Sequence, residues 1–383
     1  MKIGINALFI RPGVNGGTET YTREMVKQFG AICTKDEFVL YGTDSQLADW
    51  CREYRNCEFR EVGMQWKNVP YRIAYEQTAF AGKLRQDGID VLFSPGYVTP
   101  LLGTFPTVTT IHDMFAYVYP QYLHRARVLY WRTMLPLSMR RSARVIAVSE
   151  NTAADIRKYL PEFGDKVRVV REAAEDRFCP PDSQSRKPAG APKVPYLLGV
   201  STIQPFKNVP NLIRGYARAR KDHGVMWDLV LIGRDAMGNV KSLAKELRIS
   251  EHVHLTGYVE TDELIRYYQC AEAFVSASVY EGFGLPVLEA MACGCPVVCA
   301  RTSIFTEIAG DSALMFDPFD VAEIAERIAQ LWRDPAEREE LRRRGLAKAA
   351  EYSWARAATE LHGIFHEVAG MAPEPAASVS SKG

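Results

Sequence analysis

No stretch of this 383-residue chain is apolar for long enough to cross a bilayer as a helix. The longest uncharged run, 91–111, is cut by Pro95, Pro100 and Pro106. An excess of either charge sign is also missing: 47 Lys and Arg face 46 Asp and Glu, so nothing global favours a nucleic acid partner, and none is expected. Paired Cys-x-x-Cys spacing is absent. The eight cysteines, at 33, 51, 57, 179, 270, 293, 295 and 299, are therefore expected to be reduced, mostly buried thiols of a cytosolic protein. No signal peptide is visible, because Met1 to Leu8 runs straight into Arg11 and Pro12. The expected location is the cytoplasm, with any membrane contact peripheral on the inner face of the plasma membrane.

What is present is an alternation of short apolar runs with amphipathic helical stretches, the pattern of parallel sheets covered on both faces. The first half reads as one doubly wound unit, residues 1–178, with strands at 2–8, 37–41, 58–62, 90–94, 107–112, 144–149 and 167–171 and helices from Thr18 and over 71–86. Pro180, Pro181, Pro188, Pro192 and Pro195 crowd a polar stretch, 179–195, with linker composition. A second unit, 196–352, repeats the alternation. A charged helix over 336–352 and a last amphipathic helix over 353–370 follow, and 371–383, poor in anchoring residues, is expected to be disordered. His362 and His366 lie one turn apart on that last helix and could share a metal, but without an evident carboxylate partner to complete the set a solvated helix face is expected.

The most informative segment is Tyr280-Glu281-Gly282-Phe283-Gly284-Leu285-Pro286-Val287-Leu288-Glu289. A strand before it, two glycines that permit close backbone approach and a proline suited to a first helical turn predict a helix starting near Leu285. Its N-terminus is an anion site in waiting, and Glu281 and Glu289 can turn back over the same pocket as acceptors for sugar hydroxyls. Gly282-Phe283-Gly284 also mimics half of a dinucleotide fingerprint. Val287 occupies the place of its third small residue, which argues against a dehydrogenase.

Extended to EGFGLPVLEAMACGCPVV, the segment resembles the Glu-x7-Glu signature of retaining glycosyltransferase family 4, and further matches run through most of the chain. The resemblance implies an α/β GT-B fold: two doubly wound Rossmann-like domains facing a central cleft, with the last helix crossing back to pack on the first. It implies a nucleotide-diphosphate sugar as donor, with Glu281 positioning the sugar, Glu289 on the ribose and Gly282, Phe283, Gly284 and Leu285 around the donor. Gly16-Gly17-Thr18, with Thr18 as helix cap, resembles the family's mobile glycine-rich loop beside the diphosphate. His112 resembles its Ile-His-Asp element and would bond a donor-sugar hydroxyl.

Glycosyl transfer must stabilise a departing diphosphate, and one means is a metal on an Asp-x-Asp motif. This chain contains no such motif, so no cofactor or metal is expected and protein cations must serve. Lys207, in a segment that leaves a strand and precedes the helix capped by Asn208, resembles the family's phosphate-binding lysine. Many relatives add an arginine where this chain has Thr202 or Phe206; Arg234, at the end of another strand, is the candidate substitute. Similarity of 200–208 to mannosyltransferase-like members suggests GDP-mannose, with UDP-glucose as the other donor. A nucleotide-sugar epimerase and a non-catalytic nucleotide-sugar-binding protein remain alternatives.

Between Met114 and Ser149 there is no acidic residue, while Arg125, Arg127, Arg132, Arg140, Arg141 and Arg144 accumulate around Tyr130 and Trp131. That surface is expected either to be a charged helix face broken at Pro136 or to meet anionic lipid or a lipid-linked glycan acceptor.

Overall fold

The computed structural model describes residues 1–63, 69–183 and 186–370. The chain divides into two compact units, Met1–Glu172 with the segment from Ser353 onward, and Ala173–Tyr352. The first holds β1 (Lys2–Asn6), β2 (Glu37–Gly42), β3 (Cys57–Glu61), β4 (Val91–Ser94), β5 (Thr107–Ile111), β6 (Arg144–Ala147) and β7 (Val167–Val169), and the second β8 (Tyr196–Val200), β9 (Asp228–Ile232), β10 (Val253–Gly257), β11 (Ala273–Ser276), β12 (Val297–Ala300) and β13 (Ala313–Phe316). Every pairing between these strands is parallel.

The sheet orders are β3-β2-β1-β4-β5-β6-β7 and β10-β9-β8-β11-β12-β13. Each chain half therefore starts mid-sheet, builds outward, and returns to build the other way. The reversal leaves a crevice at the carboxyl ends of β1 and β4, and of β8 and β11, where open α/β sheets bind ligands. β4, β5, β9 and β12 are buried along their whole length, because helices cover both faces.

The first unit's core is aromatic. Phe29 stacks on Phe38 at 4.9 Å, and Phe365 packs 5.6 Å from Phe29 and 5.4 Å from Phe93. Phe365 belongs to helix Trp354–Val368, whose buried face runs Trp354, Ala357, Ala358, Leu361, His362, Phe365 and His366 at helical spacing. Ser353 starts that helix by accepting the Arg356 N–H. Fully burying each large apolar side chain contributes about 1.5–3 kcal/mol.

The units part at Glu172/Ala173, ahead of the proline-rich stretch, because Phe178 packs 6.0 Å from Tyr268 and the Cys179 carbonyl accepts from Gln269 at 2.9 Å. The expected tail, 371–383, lies outside the described residues.

Several expectations are corrected. The stretch 71–86 forms two helices, Val69–Gln77 and Phe80–Gln86, not one. Helix Arg125–Arg141 runs through Pro136 instead of breaking there: the Arg132 carbonyl, denied a proline N–H, accepts from the Tyr117 hydroxyl at 3.4 Å. Cys51 and Cys57, with Cα atoms 5.1 Å apart, are paired as a disulfide, so the thiols are not all reduced; the other six are free. His362 and His366 are buried, not solvated, against the Asp36 carboxylate.

Candidate functional site

In the second unit, β8 ends at Val200 and the chain turns through a short 3-10 turn, Pro205–Lys207, before helix Val209–His223. Asn208 was expected to cap that helix with its side chain. It instead adopts a left-handed conformation (φ 53°), and its amide donates to the Pro318 carbonyl at 2.6 Å, so it turns and anchors the loop. The Phe206 carbonyl accepts from the Val279 N–H at 2.9 Å, which ties the loop after β8 to the loop after β11. This fixes the two switch-point loops side by side. Lys207 Nζ then stands 2.5 Å from Glu281 Oε1, with each side chain 16% exposed.

After Glu281 the backbone turns at Gly284 (φ +97°), where a Cβ would meet Phe305 at 2.9 Å, and helix Leu285–Ala292 begins as expected. Pro286 has no N–H and the Val287 N–H returns to the Gly284 carbonyl at 3.0 Å. The positive end of the helix faces the same loop as Lys207's partner, Glu281. Phe283 is buried against Tyr352 at 5.8 Å, so it offers a ligand backbone and not ring, beside the partly exposed Gly282 and Leu285. Glu289 accepts from the Tyr268 hydroxyl at 3.0 Å, and burial pushes its carboxyl up to about 7. One carboxylate oxygen is anchored in this way, and its partner can accept from a ligand.

Thr202 and Arg234 are exposed on adjacent loops, joined where the Ile203 N–H donates to the Arg234 carbonyl at 2.9 Å. Gly233 (φ +129°) makes this approach possible: a Cβ there would lie 2.1 Å from the Ser201 carbonyl oxygen. Arg234 therefore emerges beside Thr202, where the expected arginine is missing.

In the first unit, Gly16 (φ 54°) precedes helix Gly17–Ile32, and no side chain caps it; Thr18 lies inside the first turn, correcting the expected cap. The loop before it is held by Glu19, which accepts from the Gly13 and Asn15 N–H groups at 2.9 and 3.3 Å. His112 follows β5, as read. Its Nε2 donates to the Pro95 carbonyl at 2.7 Å, its Nδ1 lies 3.1 Å from Glu172, and Tyr21 meets its ring edge-on at 4.9 Å. Both nitrogens thus have protein partners, so a sugar bond requires one of them to be exchanged.

Sequence reasoning missed a cavity of about 300 Å³ at the first switch point, lined by Phe9, Arg72, Glu76, Tyr97, Tyr130 and Trp131 among others. Glu76 is buried, which raises its carboxyl above the usual range, and it accepts from Asn6 at 2.7 Å and Arg72 at 3.2 Å. Tyr97 has a positive φ of 63°, unusual for an aromatic residue. Its hydroxyl donates to Asp113 at 2.7 Å. The readable signal was an acidic residue on a helix that packs into the core.

Lys207, Glu281, Glu289, Thr202 and Arg234 belong to the second unit, and Gly16, Gly17 and His112 to the first. No helix among the described residues is long and apolar enough to cross a membrane.

The family model described as Glycosyltransferase Family 4 matches residues 15–174, and that described as Glycosyl transferases group 1 matches residues 182–348. The O-antigen chain mannosyltransferase B of Escherichia coli is 31% identical over 264 residues, covering 66% of this chain and 68% of that protein. A serotype-specific mannosyltransferase WbdA of Escherichia coli is 29% identical over 227 residues, 57% of this chain but only 28% of that protein, so the chain spans less than a third of it. A glycosyltransferase structure from Rickettsia africae shares the fold with a TM-score of 0.72 at 16% identity, covering 96% of this chain and 98% of that one.

Proposed function

The chain belongs to glycosyltransferase family 4 and is a glycosyltransferase, and from that premise we propose that it moves mannose from GDP-mannose to a glycan or lipid-linked acceptor in surface polysaccharide synthesis, with retention of configuration and without a metal. The observation that carries this reading is the Lys207–Glu281 pair at the carboxyl ends of β8 and β11, followed by the helix that carries Glu289. Mannose is favoured because mannosyl transfer is what the names of several sequence relatives state.

In this reading Lys207, Arg234 and the positive end of helix Leu285–Ala292 share the charge of the departing diphosphate. Glu289 accepts from the ribose hydroxyls, and Glu281 accepts from the sugar. A carboxylate 2.5 Å from an ammonium is a poor nucleophile, which supports a positioning role for Glu281 and a same-face displacement in which the leaving phosphate takes the acceptor's proton. The absence of an Asp-x-Asp motif supports metal independence.

The first-unit cavity suits the acceptor: Tyr97, Tyr130 and Trp131 offer faces for a sugar ring, and Arg72 and Glu76 offer hydroxyl partners. The exposed arginines of helix Arg125–Arg141, namely Arg125, Arg127, Arg132 and Arg140, are the cations available to anionic lipid, beside Leu129, which is 70% exposed. Arg141 is engaged with the Gly103 and Phe105 carbonyls and Arg144 with Glu367, so neither belongs to that set.

Incubation with GDP-mannose and UDP-glucose, with and without acceptor extract and in EDTA, tests the proposal. Nucleoside diphosphate should appear from GDP-mannose only when acceptor is present. Release of a free isomerised sugar without acceptor would mark an epimerase instead, and no turnover with tight binding a non-catalytic binder.

A further inference from the structure

Asp36, His362 and His366 form a cluster that the proposed transfer does not use. All three are buried, at 5%, 9% and 6% exposure. Asp36 Oδ2 lies 2.5 Å from His362 Nε2 and 2.9 Å from His366 Nε2, and the two nitrogens are 3.2 Å apart. The two histidines, i and i+4 on helix Trp354–Val368, present the same ring atom from one helix face. They meet a carboxylate more than 300 residues earlier in the chain, at the entrance to β2.

From this arrangement we infer a binding site for one divalent transition-metal ion of the zinc type, held by Asp36, His362 and His366. Donor atoms about 2.1 Å from a common ion stand about 2.9 to 3.4 Å from each other, for right-angle to tetrahedral coordination. Two of the three separations already fall in that range, and the third needs to open by less than about 1 Å. Without an ion the cluster is held by hydrogen bonds to Asp36 Oδ2, while Oδ1 pairs with the Met1 ammonium at 2.7 Å; an ion at the common point takes the place of the shared protons.

The ligand is not left to find its own place. The Asn56 amide donates to the Cys33 and Asp36 carbonyls at 3.1 and 3.3 Å, which fixes the turn that aims the carboxylate. His366 Nδ1 is buried and has no hydrogen-bond partner among the described residues, whereas Nε2 faces Asp36 Oδ2 at 2.9 Å and must give up its proton to bind an ion, which makes uptake pH-dependent. Two imidazole nitrogens and one carboxylate oxygen suit Zn²⁺, Co²⁺ or Ni²⁺ and are a poor set for Mg²⁺ or Ca²⁺, which take oxygen cages. Three protein ligands leave a fourth position for water or a small anion. The ion would pin the last helix to the start of β2 and so close a very long loop of chain.

Untagged wild-type protein, stripped with a chelator and dialysed, is titrated calorimetrically with Zn²⁺ and with Mg²⁺, and thermal unfolding is followed with and without Zn²⁺. The expected result is one equivalent of Zn²⁺, no comparable Mg²⁺ binding and a raised Tm. His362→Gln/His366→Gln should weaken Zn²⁺ binding at least 100-fold and abolish the rise in Tm. His252→Gln/His254→Gln, which removes the partly exposed pair on Asp228, should leave both unchanged. Failure of the wild type to take up stoichiometric Zn²⁺, equal affinity for Mg²⁺, or binding that persists in the His362/His366 variant would each overturn the site. Should the wild type bind no Zn²⁺ while the His362/His366 variant loses stability, the cluster is a hydrogen-bonded clamp only, and the inference fails even if that variant folds poorly.

Discussion

Lys207 Nζ and Glu281 Oε1 stand 2.5 Å apart although 74 residues separate them in the chain, because β8 and β11 are neighbours at the point where the second sheet reverses direction. A pair only 16% exposed on each side is held more firmly than a surface ion pair, and removing one member leaves the other partly desolvated.

Lys207→Ala should therefore lower kcat/KM for the donor by about 10²–10³-fold, the cost of losing one preorganised positive group at a developing anion. Glu281→Gln should lower it too, and the double variant should fall far short of the product of the two effects, since the residues act together. Steady-state kinetics on the three variants decides this, and independent, multiplicative losses would separate the two roles.

Glu289, in its proposed contact with the ribose, should make donor affinity pH-dependent. Burial pushes its carboxyl up to about 7 against an ordinary 4.5, so the carboxylate, the stronger acceptor, is lost as pH falls below about 7. The Kd for nucleoside diphosphate should rise nearly tenfold per unit below that point. Because the folded pKa is raised, the carboxyl's contribution to stability is complete below about 4.5 and declines as pH rises to 7. Glu289→Gln should thus be more stable than wild type by about 1–3 kcal/mol at pH 8, with the difference shrinking toward pH 5. Denaturant melts at the two pH values check the sign.

Gly233→Ala should disturb the donor loop without touching a ligand. The new Cβ would sit 2.1 Å from a backbone oxygen that has no side chain to swing aside, at a φ of +129° that alanine resists. A loss of about 2–4 kcal/mol of stability is expected, together with weaker donor binding as Thr202 to Lys207 shift. Thermal melts and donor titration should move together.

Reversing the charge of Arg125, Arg127 and Arg132 should release the protein from vesicles containing anionic lipid. Each basic residue near such a surface contributes about 1 kcal/mol, so the triple variant should bind at least a hundredfold more weakly in a sedimentation assay. Reversal at Arg141 is not a clean probe, because its guanidinium holds the Gly103 and Phe105 carbonyls.

The sheets were legible because each buried strand is a nearly continuous apolar run bounded by turn residues, and Glu281, Gly284 and Glu289 were legible because a strand-to-helix junction has its own local chemistry. What escaped was non-local. The Asp36 partner of His362 and His366 is more than 300 residues away, so two histidines on a helix looked solvated. Pro136 looked like a break because its compensation, the Tyr117 hydroxyl, comes from another helix. Asn208 looked like a cap because its residue type suits one, whereas the Pro318 carbonyl captures its amide. Glu76 and Tyr97 were hidden for the same reason: only the first sheet's switch point places them around one cavity.

Calorimetric titration of GDP-mannose into wild type and Lys207→Ala, in EDTA, tests the central claim most directly. One donor per chain is expected for the wild type and at least a tenfold weaker Kd for the variant. Equal binding by the two proteins, or a wild type that binds the donor only when a divalent metal is restored, would contradict it.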